Sequence, residues 1–179
     1  MAFFVFSYIV RTVRWYFLLL PLKKIGVLRS FYFLIFGFFM NNILPLRLGE
    51  FVRAKVAGER FKISRSSVFA TVVIESLMDI IIFIICFFLI AVFVDIPQWL
   101  KNTFLLCAVI FGGFTVVLFF ISKSKDTFLR LISKIKLSDK ITNMIMSLFS
   151  KFATGLSFFT NWKLALKVFV FSFFVWFVE

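Results

Sequence analysis

Histidine is absent from the 179 residues, which include only two cysteines, three prolines and eight acidic side chains. The lack of histidine excludes catalysis by a histidine base and removes the usual ligand of most zinc and iron sites. Cys86 and Cys107 both lie inside apolar runs without the spacing of metal ligands, which favours buried structural thiols. We therefore predict no catalytic residue, no metal site and no cofactor.

Apolar side chains are abundant instead. Hydrophobic residues make up 63% of the sequence, against roughly 45–50% in soluble domains, and 31 residues are phenylalanine. These side chains are concentrated in long runs, and a core of this size cannot bury them all. Lipid must cover much of the surface, so the predicted fold class is an all-α, polytopic helical membrane protein.

Basic residues far outnumber acidic ones. The sequence has 21 Lys and Arg against 8 Asp and Glu, a formal net charge of +13, and the basic residues flank the apolar runs. This pattern is typical of cytoplasmic loops, so it predicts contact with anionic lipid headgroups and not with nucleic acid. In residues 123–159, lysines alternate with apolar residues at helical spacing. This tract predicts one or two amphipathic helices at the membrane surface, broken near Ser138.

Five apolar stretches are candidate membrane spans, at about residues 2–20, 30–46, 68–94, 104–121 and 164–178. The second is only marginally long and ends in Asn41-Asn42-Ile43-Leu44-Pro45, which predicts an interrupted or re-entrant segment. The last is too short to span a bilayer. We therefore expect residues 1–179 to be a single but incomplete transmembrane domain.

Two topologies follow from these stretches. If all five span the membrane, the basic loop 23–29 and the basic connector 47–65 lie on opposite sides. If residues 31–65 instead enter the membrane and return, both basic segments share one side, and only the nearly neutral loop 95–101 is left outside. The re-entrant topology satisfies the positive-inside rule better and is the one that we predict.

Charged residues of both signs lie inside the first and third apolar stretches. Glu75 and Asp79 are one helical turn apart and share a face, and an unpaired carboxylate in the hydrocarbon costs roughly 2.5 kcal/mol or more. Arg11 and Arg14 pose the same problem in the first stretch. These charges either pair across helices, with Arg14–Glu75 and Arg47–Asp79 as examples, or they form an anion site. Arginine suits phosphate because its planar fork bonds two oxygens at once.

A longer pattern runs through the broken segment and into the third stretch: Asn42-x-Leu44-Pro45-x-Arg47-x-Gly49-Glu50-x-x-Arg53, followed by Glu75-x-x-x-Asp79. It resembles the lysylphosphatidylglycerol synthase transmembrane family, also called flippase-like. Arg14-Trp15 and Trp176-x-x-Glu179 resemble further motifs of that family, so the resemblance extends over nearly the whole chain. This sequence departs from the family pattern at Ser76, where the family usually has arginine.

The resemblance implies translocation of a phospholipid or handling of a lipid-linked substrate, and no aminoacyl transfer. We expect Arg47 and Arg53 to hold a phosphate, while the carboxylates bind amine or hydroxyl groups or brace the arginines. The predicted headgroup-binding residues are Asn42, Arg47, Glu50, Arg53, Glu75 and Asp79, with Pro45 and Gly49 as the structural break.

Two alternatives stay open. One is a membrane-embedded enzyme that acts on a lipid phosphate, with Glu75 and Asp79 as metal ligands or as acid and base. The other is a non-catalytic membrane scaffold whose charges are purely structural. For all three functions we expect a multi-pass protein of the cell (plasma) membrane, in an oligomeric state that the sequence leaves open.

Overall fold

The computed structural model describes residues 2–124 and 139–178, and these residues form an all-α fold without strands. Seven α-helices occupy them: α1 (Ala2–Leu19), α2 (Val27–Ile43), α3 (Gly49–Phe61), α4 (Arg65–Ile90), α5 (Gln98–Lys123), α6 (Asp139–Gly155) and α7 (Trp162–Val178). The predicted all-α class is confirmed. The break expected near Ser138 lies outside the described residues.

Helices α4 and α5 are, in the described part of the chain, long and apolar enough to cross a membrane. At 26 residues each, they extend about 39 Å at 1.5 Å per residue. Residues 141–160 and α7 add a third span if this pair, bent by 85°, crosses as one unit. The predicted spans 2–20, 30–46 and 164–178 correspond to α1, α2 and α7, and their crossing of the membrane stays a prediction.

Helix α4 is the central element of the bundle, and α5 is peripheral. In the apolar window of α4, 33% of the residues are buried, against 6% in that of α5. Helix α4 packs against α1, α3, α5, α6 and α7, whereas most large apolar side chains of α5 stay exposed. The face of α5 is therefore suited to contact with lipid.

The chain breaks between α2 and α3, as the proline predicted. Leu44 is extended, with φ −97° and ψ 137°, and a 3₁₀ turn follows at Pro45–Arg47. Within this turn Leu46 has φ 58°, in the left-handed region that a branched side chain rarely adopts. This irregular backbone reverses the chain direction between the two helices.

Helices α2 and α3 pack against each other as an antiparallel hairpin, because glycines let them approach closely. A Cβ added at Gly49 would lie 2.4 Å from the Gly37 carbonyl oxygen, and one added at Gly37 would lie 3.0 Å from the Arg53 Cβ. At the open end, the Lys23 ammonium donates a hydrogen bond to the Phe61 carbonyl at 2.9 Å. The hairpin thus returns the chain to the end of the bundle at which α2 begins, and its re-entrant placement in a membrane stays a prediction.

Helix α6 has the amphipathic character predicted for this tract. Ile141, Met144 and Leu148 recur at helical spacing on its exposed side. Its end packs against α4, where the Ser67 hydroxyl donates to the Lys151 carbonyl at 2.5 Å. Its placement at the membrane surface stays a prediction.

Candidate functional site

A polar cavity of about 450 Å³ lies between α1, α4 and the α2–α3 hairpin. Its walls contain the charged residues Arg11, Glu50, Arg53 and Glu75, although the surrounding helices are largely apolar. Uncharged residues complete the lining: Ser7, Tyr8, Gly37, Phe38, Asn41, Asn42 and Ser76. The cavity therefore offers positively and negatively charged side chains, together with neutral hydrogen-bonding groups, inside the bundle.

Arg53 connects the hairpin to the centre of the bundle. Its side chain is 5% exposed, and Nη2 donates to Glu75 Oε2 at 2.5 Å. The guanidinium also lies over the Trp15 ring, 4.7 Å from the centroid, in a cation–π contact. The Trp15 indole N–H donates to the Thr71 hydroxyl at 3.3 Å, which fixes the ring. Arg53 is thus held at the cavity wall by contacts with two other helices.

Arg14 is fully buried beside the cavity and is held by both acidic residues of α4. Nη2 donates to Glu75 Oε1 at 3.0 Å and to Asp79 Oδ2 at 3.2 Å, and Nη1 contacts Asp79 Oδ1. Nη1 also lies 3.3 Å from the Ser172 hydroxyl of α7. The predicted pair between Arg14 and Glu75 is confirmed, and the one-turn spacing of the two carboxylates explains how one guanidinium contacts both.

Arg11 lines the cavity, although the family-like motif does not include it among the headgroup-binding residues. Its Nη1 lies 3.6 Å from Asp79 Oδ2, and its guanidinium carbon lies 5.9 Å from the Phe38 ring centroid. The signal was present in the sequence, since Arg11 precedes Arg14 by three residues and so shares its face of α1.

Asp79 is absent from the cavity lining formed by the described side chains. Arg11 and Arg14 both contact its carboxylate, and its side chain is 24% exposed, so a headgroup contact of Asp79 stays a prediction. The suggested partner Arg47 belongs to the turn between α2 and α3, but its side chain lies outside what the structure describes. The pairing of Arg47 with Asp79, and a headgroup contact of Arg47, stay predictions.

The other predicted residues lie in the cavity wall or at the break in the chain between α2 and α3. Asn42 lines the cavity and donates to the Phe38 carbonyl at 3.2 Å. Pro45 begins the 3₁₀ turn and Gly49 begins α3. Glu50 lines the cavity near Ser76, whose hydroxyl lies 3.5 Å from Glu50 Oε2. The hydroxyl of Ser76 therefore occupies a wall position where an arginine would place a further cation.

The described residues contain no group of three or more His, Cys, Asp or Glu side chains able to hold a metal ion. Glu75 and Asp79 both contact Arg14, and each contacts one further arginine, Arg53 or Arg11, so these cations already offset the charges of the two carboxylates.

The sequence model of the lysylphosphatidylglycerol synthase TM region matches residues 1–179, the whole chain. The protein belongs to this family. No curated protein and no solved structure matches it. Membership in the family, together with the apolar helices, makes it a membrane protein related to lipid handling.

Proposed function

We propose that this protein binds the headgroup of a phospholipid or lipid-linked substrate in the cavity and moves it between the leaflets, without changing it chemically. The observation that carries the proposal is a cavity with two arginines and two carboxylates inside an apolar helical bundle. Ionisable side chains at membrane depth are costly unless they are paired, and they commonly line the pathway of a polar substrate.

The arginines are the groups that would receive the phosphate. Arg11 and Arg53 reach the cavity from α1 and from the hairpin, so a headgroup between them contacts two separate elements. Arg47, in the turn of the same hairpin, is the third arginine that we assign to the phosphate, as the sequence predicts. Guanidinium groups bond phosphate oxygens in pairs, and the low dielectric of the bundle strengthens such bonds. Glu50 would meet the amine or hydroxyl groups of the same headgroup.

The hairpin supplies the element that changes position during transport. It is joined to the bundle through Arg53 and Glu75, and a phosphate oxygen can replace the carboxylate as the acceptor. Loss of that ion pair would remove a charged link between the hairpin and α4, while apolar packing such as the stacked rings of Phe51 and Phe69 remains. The hairpin would then shift along this apolar contact. The proposal includes a multi-pass topology in the plasma membrane and makes the protein a transporter and not an enzyme.

The test uses purified protein in proteoliposomes with an acyl-labelled fluorescent phospholipid, whose exposure in each leaflet is followed by chemical quenching. Wild type should move the lipid, and Arg47→Ala should abolish movement while the protein still inserts. Arg65→Ala is the control, because Arg65 is exposed and pairs with Glu59 away from the cavity. Unchanged transport in Arg47→Ala would contradict the assignment of that residue.

The two alternatives give different results in the same vesicles. Covalent conversion of the lipid, detected by mass spectrometry, would support an enzyme that acts on lipid phosphate. A scaffold, whose ion pairs such as Arg14–Glu75 only hold the bundle together, would leave every lipid in its original leaflet. The first result would refute transport without chemical change, and the second would refute transport itself.

A further inference from the structure

A second, smaller cavity of about 220 Å³ lies between α3 and α4 at the outer surface of the bundle. We call it the α3–α4 groove, and its described lining consists of Phe51, Ala54, Lys55, Arg65, Ser66 and Phe69. None of these residues is among the described residues that line the polar cavity. The proposed transport assigns none of them to the substrate, so the groove has a chemistry of its own.

The groove has an aromatic level and a charged level. Phe51 stacks on Phe69 with ring centroids 4.7 Å apart, and Gly58 packs against Arg65, so α3 and α4 run antiparallel along it. Lys55 lies one helical turn beyond Phe51 on α3, and Arg65 lies one turn before Phe69 on α4. Both cations are therefore about 6 Å nearer than the rings to the connection between the two helices.

The charged level is predominantly basic. Lys55 is exposed and has no ion-pair or hydrogen-bond partner among the described residues. Arg65 is 64% exposed, and its Nη2 pairs with Glu59 Oε1 at 2.6 Å, which engages one nitrogen of the guanidinium. Arg60 and Lys62 follow on the same connection, so this end of the hairpin attracts an anion.

A phospholipid with a net negative headgroup is the occupant that fits both levels. Its phosphate meets Lys55 and Arg65, and the adjoining part of an acyl chain covers the half-exposed ring of Phe51. A soluble anion would use the cations alone, and an apolar chain would use the rings alone. The order of charge and apolar surface also matches the order of headgroup and hydrocarbon at the basic side of a membrane.

We infer that the α3–α4 groove binds one anionic phospholipid of the surrounding membrane, separate from the transported substrate. Lys55 and Arg65 belong to different helices, so the bound phosphate bridges the hairpin and α4 from outside. This site goes beyond the proposed function, because its lipid stays at the surface of the bundle. In detergent or in vesicles of zwitterionic lipid the groove has no anionic occupant, so Arg65→Ala remains a neutral control there.

The experiment compares dioleoyl phosphatidic acid with dioleoyl phosphatidylcholine, which share their acyl chains and a phosphate but differ in net charge. Binding of the first lipid molecule to the purified full chain is measured by native mass spectrometry in a neutral detergent. Wild type should bind phosphatidic acid at least about tenfold more tightly, as expected for two basic residues at a membrane surface. Phosphatidic acid should also raise Tm more than phosphatidylcholine does.

The variant Lys55→Gln removes one charge from the groove. It should weaken the binding of phosphatidic acid about fivefold and leave that of phosphatidylcholine unchanged. The matched control is Arg60→Gln, which removes a charge of the same sign from the same helix. Arg60 is exposed and is not among the described lining residues, so this variant should bind both lipids like wild type.

The variant Phe51→Ala tests the aromatic level. It removes an exposed ring and should weaken the binding of phosphatidic acid without changing the binding of soluble glycerol 3-phosphate. Equal weakening of both ligands would overturn the contact between the acyl chain and the ring.

Three results would overturn the inference. Wild type could bind the two lipids equally, or Lys55→Gln and Arg60→Gln could lose equal affinity, which would indicate diffuse attraction to the net charge of +13. Displacement of phosphatidic acid by an equal concentration of glycerol 3-phosphate would indicate a site for soluble phosphate. Failure of transport with the predicted binding pattern intact would refute the proposed function and still support this inference.

Discussion

Arg53 Nη2 lies 2.5 Å from Glu75 Oε2, and this ion pair joins the α2–α3 hairpin to the central helix α4. The second oxygen of the same carboxylate accepts a hydrogen bond from Arg14 on α1 at 3.0 Å. Glu75 is therefore shared between a buried arginine of the bundle and an arginine of the cavity wall. If Arg53 exchanged Glu75 for a phosphate oxygen, as the proposed function requires, Arg14 would still neutralise Glu75.

Replacement of Arg14 by leucine should destabilise the fold strongly. The change leaves two acidic residues at a buried face with one arginine fewer, and removal of one partner of a buried ion pair costs about 3–5 kcal/mol. Thermal unfolding in detergent should show a large fall in Tm. Arg65→Ala is the matched control, since its pair with Glu59 is exposed and contributes about 0–1 kcal/mol. A Tm for Arg14→Leu equal to that of the control would refute a structural role for Arg14.

A methyl group at Gly49 should disrupt the hairpin. Its Cβ would lie 2.4 Å from the Gly37 carbonyl oxygen and 2.5 Å from the Asn41 backbone nitrogen, so the backbones must separate. Overpacking of this kind costs typically 1–3 kcal/mol, and Gly49→Ala should lower Tm accordingly.

Gly112→Ala provides the comparison for Gly49→Ala. A Cβ at Gly112 meets no described atom within 4 Å, and alanine is the better helix former by up to about 1 kcal/mol. This variant should be neutral or slightly more stable. Similar losses of stability in both variants would show that the effect is not due to hairpin packing.

Neutralisation of Arg11 should reduce transport without unfolding the protein. Arg11 lines the cavity, but the carboxylate of Asp79 keeps its contact with Arg14 when Arg11 is replaced by glutamine. Initial rates in proteoliposomes should fall at least about tenfold, as expected for loss of one charge-assisted hydrogen bond to phosphate. Lys24→Gln, which removes a positive charge from an exposed loop, should transport like wild type. Transport by Arg11→Gln at the wild-type rate would remove Arg11 from the site.

The hairpin predicts a topology that labelling can check. In a background of Cys86→Ser and Cys107→Ser, the variants Lys24→Cys and Arg60→Cys should react with a membrane-impermeant maleimide from the same side. This follows because Lys23 and Phe61 are in direct contact. Asp95→Cys should react from the opposite side, since α4 lies between. Labelling of residues 24 and 60 from opposite sides would exclude the re-entrant topology.

Much of the fold followed from local pattern. Apolar runs of sufficient length predicted α4 and α5, and Pro45 predicted the break after α2, because both depend on neighbouring residues alone. The positive-inside rule favoured the returning segment before its contacts were known. The bend of 85° between residues 141–160 and α7 was not predicted, since it depends on how these helices pack.

Some features of the candidate site also follow from local sequence, and others depend on how the helices pack. Sequence by itself determined that Glu75 and Asp79 share a helix face and that charges in apolar stretches need partners, because helix periodicity and desolvation act locally. Only the tertiary structure decided which partners they take. Helix packing places Arg14 against both carboxylates and Arg11 at the cavity wall, whereas Asp79 is not among the described lining residues. Those contacts join residues more than 60 positions apart, and their geometry depends on how α1 packs against α4, which no local pattern specifies.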